Sequence, residues 1–203
     1  MTGIQSQTVY FSAPGPANTD RVLSLVAERA PALGVGTVLV ATTSGATGAR
    51  AAELLKGLDI IAVTHSAGFR EPFTLNHDAA LIEKIKAAGG KIVTTTHAFG
   101  GVGRAVRKKL DTYQVDEIIA FTLRCFGQGM KVAAEITLMA SDAGLLPGGE
   151  PVIAIGGSGR GADTAVVLQP THAQTFFDLR ILEIICMAAP GHPGSAIQEA
   201  NQA

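Results

Sequence analysis

Thr37-Val38-Leu39-Val40-Ala41-Thr42-Thr43-Ser44-Gly45-Ala46-Thr47-Gly48-Ala49-Arg50 decides the fold. A β-branched apolar run stops at a cluster of hydroxyls and glycines, and a helical pattern follows. This is the strand–loop–helix grammar of an α/β anion site. The free N–H groups that open a helix, with the positive end of its dipole, attract phosphate or carboxylate. Thr43, Ser44 and Thr47 add hydroxyl donors, and Gly45 and Gly48 let the backbone approach an anion closely. The alternative is an ordinary βα turn in which Ser44 or Thr47 is merely an N-cap. The stretch is not a P-loop, because no Gly-Lys-Ser/Thr follows.

Upstream, Thr8 to Ser12 reads as a short strand broken by Pro14-Gly15-Pro16. A helix carrying Val22, Leu25, Val26 and Leu33 at helical spacing comes next, closed by Gly34 and Gly36. Downstream, a helix with Ala51, Leu54 and Leu55 on one side leads to Asp59–Thr64, a continuous apolar run that marks a strand covered on both faces. A loop from His65 to Asn76 precedes a helix opened by His77-Asp78. Then come a strand at Lys91–Thr96, a basic helix around Arg104–Lys109, a strand at Asp116–Leu123 and a turn at Arg124–Gly129. A long helix at Met130–Leu146, a strand at Pro151–Ile155, the glycine loop Gly156–Asp163, and strands at Thr164–Leu168 and Phe177–Met187 complete the pattern.

Strands alternating with helices predict a three-layer α/β/α domain with a mostly parallel, doubly wound sheet. The strand after Asp163 arrives with almost no crossover. It is expected to run antiparallel, since a parallel return needs about a dozen residues. Residues 1–203 read as one domain, with Pro190–Ala203 a small, polar tail expected to fray. In such sheets ligands collect beyond the carboxyl ends of the strands, where the strand order reverses.

The net charge of the 203 residues is −1, and no basic stripe stands out, which argues against a nucleic-acid footprint. No apolar run approaches the ~20 residues that span a bilayer, so no membrane segment is expected. Cys125 and Cys186 both lie in apolar runs, which fits reduced thiols in a cytoplasmic protein without a signal peptide. Mean hydropathy is +0.30 and 16% of residues are charged. That apolar balance points to a homo-oligomer, with Phe177–Met187 as the expected interface.

Thr37–Thr64, from Thr-Val-Leu-Val-Ala-Thr-Thr-Ser-Gly to Asp-Ile-Ile-Ala-Val-Thr, resembles the C-terminal domain of pyruvate kinase. Met130–Leu168 is similar as well, with a long helix, a Pro-Gly-Gly turn, Val152-Ile153-Ala154-Ile155-Gly156, a Gly-Ser-Gly loop and a return strand. The whole chain looks like the stand-alone archaeal and bacterial proteins with this domain, a group associated with flavin mononucleotide (FMN). In the kinase the two loops hold fructose 1,6-bisphosphate. The resemblance therefore implies an anion crevice between Thr43, Ser44, Gly45 and Thr47 on one side and Gly157, Ser158, Gly159, Arg160 and Gly161 on the other. Nothing here resembles the kinase's catalytic barrel or its metal and phosphoenolpyruvate residues, so pyruvate kinase activity is not expected. The Trp that the kinase loop often offers its effector has no counterpart, since the chain has none.

Gly157-Ser158-Gly159-Arg160-Gly161-Ala162 is half a dinucleotide fingerprint but precedes a strand, not a helix, which argues against a Rossmann site. Arg160 suits bidentate phosphate binding, or is simply solvent-exposed. Asp163 caps the turn or meets a sugar hydroxyl. At the Arg124–Gly129 turn, Cys125 is either a dipole-activated thiolate or an inert thiol. Phe126 either stacks on a flavin ring or packs in the core, and Gly127 and Gln128 offer contacts to a ligand head group. His65 and His97 both follow strands and so reach the same crevice, as acid–base candidates or as structural histidines. No His/Cys/Asp/Glu spacing reads as a metal site, and no nucleophile elbow is present. Three functions follow: a flavin protein that binds FMN, a binding module for a sugar phosphate such as fructose 1,6-bisphosphate, and a hydrolase or isomerase using His65 or His97.

Overall fold

The computed structural model describes residues 3–194. Its elements are β1 (Val9–Phe11), α1 (Thr19–Leu33), β2 (Thr37–Ala41), α2 (Ala46–Leu54), β3 (Asp59–Thr64), α3 (Ala79–Ala87), β4 (Lys91–Thr94), α4 (Val102–Leu110), α5 (Val115–Arg124), α6 (Gln128–Asp142), β5 (Val152–Gly156), β6 (Thr164–Gln169) and β7 (Arg180–Ala188). The seven strands form one sheet in the order β1-β7-β6-β5-β2-β3-β4. β2 pairs parallel with both β3 and β5, β3 with β4 and β1 with β7. β6 pairs antiparallel with β5 and β7, so it alone is reversed. Both the central β2–β3 pair and the return after the glycine loop follow the sequence expectation.

Alternation along the strands sorts the core into two layers. Val38, Val40, Ile60, Ile153 and Ile155 face α1 and α2 together with Val22, Leu23, Val26 and Ala51. Leu39, Ile61, Val63, Ala154 and Val166 face α6 through Met130, Ala133 and Ile136. α6 lies so close to the sheet that a Cβ on Gly129 would stand 2.1 Å from Thr164 Oγ1, and one on Gly156 2.3 Å from the Gly129 carbonyl. Glycine at both positions is thus a packing requirement.

Asp116–Leu123, read above as a strand, is helical within α5. Its apolar run surrounds the helix, with Ile118 and Phe121 exposed and Ala120 buried, so no clean period emerges from the sequence. The overlooked signals are Asp116 and Glu117 in the first turn, where carboxylates favour a helix start. Glu117 is also buried against Arg107 of α4 at 2.6 Å. The run Phe177–Met187 begins in a short 3₁₀ segment, Ala173–Asp178, rather than in a strand. Phe177 and Leu182 are exposed, but Ile185 and Cys186 belong to the core. Of the tail expected to fray, residues 195–203 lie outside the described residues. Just before them, His192 stacks on Tyr10 with ring centroids 4.9 Å apart, and the Ala189 amide donates to the Phe11 carbonyl.

Among the described residues, no helix is long and apolar enough to cross a membrane.

Candidate functional site

The chain proceeds from β2 to β3 to β4 on one side and places β5 on the other side of β2. The strand order therefore reverses between β2 and β5, and that switch point is where a doubly wound sheet opens a crevice at its carboxyl edge. In register, Val40 pairs with Ile155. The Ser44 loop and the Ser158 loop therefore leave neighbouring strand ends at the same edge. α6 runs back across the sheet, so its N-terminus with Gly127 and Gln128 also faces this edge.

The first loop turns through Gly45, whose φ of 97° makes it the N-cap of α2. Ser44 is exposed, and its Oγ accepts from the Ala46 amide at 3.3 Å. Thr47 is buried in the first turn. Gly45 carries a second burden, for a Cβ there would lie 2.9 Å from the Leu81 Cβ. Gly45→Val would thus damage the backbone before it reported on any ligand.

The second loop is organised by Asp163, which is fully buried. Its Oδ2 accepts the amides of Ser158 at 2.9 Å and Gly15 at 3.0 Å, and its Oδ1 accepts the Thr164 hydroxyl at 2.9 Å. Asp163 is therefore the cap of the turn. Gly157 and Gly161 are close-packing positions, since a Cβ on them would meet the Gly161 carbonyl at 2.5 Å and Pro16 Cα at 2.4 Å respectively. The segment Gly15–Thr19, which the sequence reading left outside the crevice, buttresses this loop. Thr19 Oγ1 accepts the Ala162 amide at 3.0 Å. Gly159 and Arg160 stay exposed, and Arg160 makes no ion pair among the described residues.

Cys125 sits at the carboxyl end of α5, with Sγ 3.8 Å from the Phe121 carbonyl. Phe126 is 55% exposed, and Gln128 accepts a hydrogen bond from Arg124 at 2.7 Å.

The larger finding lies on the α6 side of the same edge, at the ends of β2, β3 and β4. His65 Nε2 is 3.2 Å from Thr43 Oγ1. His97 Nδ1 is 3.4 Å from Glu135 Oε2, which the Lys131 ammonium contacts at 2.5 Å. The other Glu135 oxygen accepts the Phe99 amide at 3.2 Å. The side chains of Glu135 and Lys131 are only 4% and 5% exposed. The two imidazole rings lie 5.0 Å apart, and Phe69 covers both, at 4.1 Å from His65 and 4.8 Å from His97. The Arg104 guanidinium lies over the Phe69 ring at 5.2 Å. His65 Nδ1 and His97 Nε2 are buried without a partner. Sequence reasoning found the two histidines and missed Lys131, Glu135, Phe69 and Arg104. Lys131 and Glu135 stand four residues apart on α6, a spacing that in sequence reads as an exposed ion pair.

Burial alone would raise the Glu135 carboxyl, but His97 and the Lys131 charge outweigh it and hold it at about 2. Burial, then the neighbouring His97 and the Arg70 charge, push His65 down to about 4. Both groups thus bind fewer protons in the folded state than in the unfolded one, so acid must destabilise the fold. The His65 contribution is complete above its ordinary value of 6.5 and is lost as the pH falls toward about 4. That of Glu135 is complete above 4.5 and is lost toward about 2. Thermal melts should therefore decline in two windows, and His65→Gln should flatten the upper one. An unchanged slope between pH 6.5 and 4 in that variant would contradict the assignment.

Two cavities lie away from these loops. One, of about 500 Å³, is an apolar groove on α5 lined by Tyr113, Ile118, Phe121, Thr122 and Cys125. The other, of about 530 Å³, sits at the amino edge of the sheet near Thr37, Asp59 and Lys91.

A mostly parallel sheet whose strand order reverses between β2 and β5, with a helix start and a glycine loop at that edge, defines a doubly wound α/β domain. The chain belongs to the pyruvate kinase alpha/beta domain family, which it matches over residues 20–168. In pyruvate kinase this domain binds the allosteric effector fructose 1,6-bisphosphate. A pyruvate kinase from Cryptosporidium parvum is similar over 75% of this chain and 23% of its own, at 14% identity and a TM-score of 0.40. The Cryptosporidium parvum pyruvate kinase in complex with ADP is similar over 76% and 24%, at 16% identity and a TM-score of 0.37. The chain spans about a quarter of the length of those kinases.

Proposed function

We propose that this protein binds a phosphorylated small molecule at the carboxyl edge between β2 and β5, with FMN as the leading candidate. The observation that supports the reading is the Val40–Ile155 register, which makes the strands that feed the Ser44 loop and the exposed Gly159-Arg160 turn direct neighbours. Helix-start amides and a guanidinium are the two donor types best matched to phosphate. Because Asp163 already takes the Ser158 amide, the second loop contributes chiefly through Arg160 and the Ser158 hydroxyl. The exposed ring of Phe126 offers FMN a stacking surface.

A second reading, a sugar phosphate, is favoured by what lines the neighbouring edge: Thr43, His65, His97 and Arg104 are polar groups suited to hydroxyls and carbonyls rather than to a flavin ring.

The absorption spectrum of freshly purified protein and calorimetric titrations with FMN and fructose 1,6-bisphosphate separate the two. Removing one charge-assisted hydrogen bond costs roughly 1.5–3 kcal/mol. Arg160→Ala should therefore weaken whichever ligand binds about ten- to a hundredfold. Its melting temperature should stay unchanged, because Arg160 is exposed. Equal affinity in the parent and in a Ser44→Ala/Arg160→Ala double variant would place binding elsewhere.

A further inference from the structure

We propose that His65 and His97 form an acid–base pair that isomerises a small aldose or ketose phosphate, with Phe69 as the side chain the substrate displaces. The proposal rests on the sugar-phosphate reading above.

Three observations support it. First, the two free nitrogens, His65 Nδ1 and His97 Nε2, belong to rings only 5.0 Å apart. Buried polar atoms are nearly always bonded, so two neighbouring exceptions mark hydrogen-bonding capacity kept for something else. Second, each ring is held from its far side. With Nε2 engaged by Thr43, His65 leaves Nδ1 to accept a proton. With Nδ1 on Glu135, His97 leaves Nε2 to exchange one. A carboxylate behind an imidazole fixes its orientation and stabilises charge that develops on it. Third, the surroundings favour an anion: Arg104 and Lys131 flank the pair, and Glu135 alone among its contacts carries negative charge.

Thr43 joins the two halves of the site, for it belongs to the phosphate-facing loop and touches His65. A substrate with its phosphate at the start of α2 would extend toward the imidazoles. Phe69 fills that space as a planar ring stacked on His97 at an interplanar angle of 18°. It sits on an irregular, exposed segment and is itself 36% exposed, so it can swing outward.

The chemistry balances without a co-reactant. His65 Nδ1 removes the proton from the carbon next to the carbonyl, and that C–H electron pair becomes the carbon–carbon double bond. The carbonyl π electrons move to oxygen, which takes the Nε2 proton of His97 entering as the imidazolium, its Nδ1–H staying on Glu135. The resulting enediol returns a hydroxyl proton to His97, and its neighbouring carbon takes the proton from His65. The carbonyl has moved by one carbon, and both imidazoles are restored.

The test uses the full chain with dihydroxyacetone phosphate, ribulose 5-phosphate and fructose 6-phosphate in D₂O. Binding is followed by calorimetry, and loss of the α-proton by NMR. Deuterium incorporation is expected with at least one of the three. A positioned acid or base is worth about 10²–10⁴-fold, so His65→Asn and His97→Asn should each slow the exchange by at least about a hundredfold while calorimetric affinity stays within about threefold. Phe69→Ala should lower KM. Binding without exchange would overturn the acid–base role and leave the sugar-phosphate reading standing. Absence of binding by all three would overturn that reading and this proposal with it. Exchange that persists in both histidine variants would assign the chemistry to other residues.

Discussion

Glu135→Ala should remove about 3–5 kcal/mol of stability, the cost of leaving one member of a buried ion pair without its partner. The number follows from geometry. Lys131 and Glu135 are both nearly inaccessible, and the carboxylate is the shared acceptor of Lys131, His97 and the Phe99 amide. Removing it leaves the ammonium in an apolar layer beside Phe99, whose ring centroid lies 5.7 Å from Lys131 Nζ. Desolvated charge is expensive, so the ammonium must lose its proton, draw in water or force the helix outward. Glu135→Leu combined with Lys131→Met should recover part of the loss, because two apolar side chains of similar volume need no partner. His97 and the Phe99 amide would still lack their acceptor, so recovery should be incomplete. Chemical denaturation of the two variants measures both effects. A single variant within about 1 kcal/mol of the parent would mean that the pair is hydrated in solution.

Asp163→Ala is expected to be of similar size, about 3–5 kcal/mol, for a different reason. The carboxylate binds three donors from three places: Gly15 before α1, Ser158 in the glycine loop and Thr164 at the start of β6. Each buried donor left without a partner costs roughly 1–3 kcal/mol, reduced where water can enter. Asparagine should be milder than alanine, since its carbonyl oxygen can accept the Ser158 and Gly15 amides while its NH2 donates to the Thr164 hydroxyl, which can also accept. The two amides also give a direct readout. Hydrogen exchange at Gly15 and Ser158 should accelerate well beyond that at β2, whose bonds the substitution leaves intact. Uniform acceleration would show only global loosening and would deny Asp163 its specific hold on the loop.

The legible parts of the chain were those whose pattern and burial agree. Thr37–Ala41 and Asp59–Thr64 are buried strands, and their continuous apolar runs say so. The reversal of β6 follows from the shortness of the loop before it. α5 escaped notice because its exposed Ile118 and Phe121 erase the helical period. At the site, loop chemistry was readable at Ser44, and His65 and His97 were readable by their position after strands. What the sequence could not convey is which loop groups are already used. The Ser158 amide is taken by a residue five positions on, and Gly161 is reserved for Pro16, contacts that exist only once distant segments meet. Lys131 and Glu135 were hidden for the converse reason. Two charges four residues apart look like a solvated helix face, and only the crossing of α6 over the sheet buries them.

The place of β1 has a consequence for how the molecule assembles. Thr8 Oγ1 donates to the Ile184 carbonyl across 176 positions of sequence, and Val9–Phe11 pairs only with β7. The β2–β3–β4 side, with α2 and α3 between its strands, joins neighbours in sequence and can form early. The opposite margin closes a loop almost as long as the chain, the kind of contact that slows folding. During synthesis the first strand must wait for the last. Gly15, which donates to Asp163 in the glycine loop, follows β1 by four residues, so the margin that closes last adjoins in sequence the segment that braces that loop.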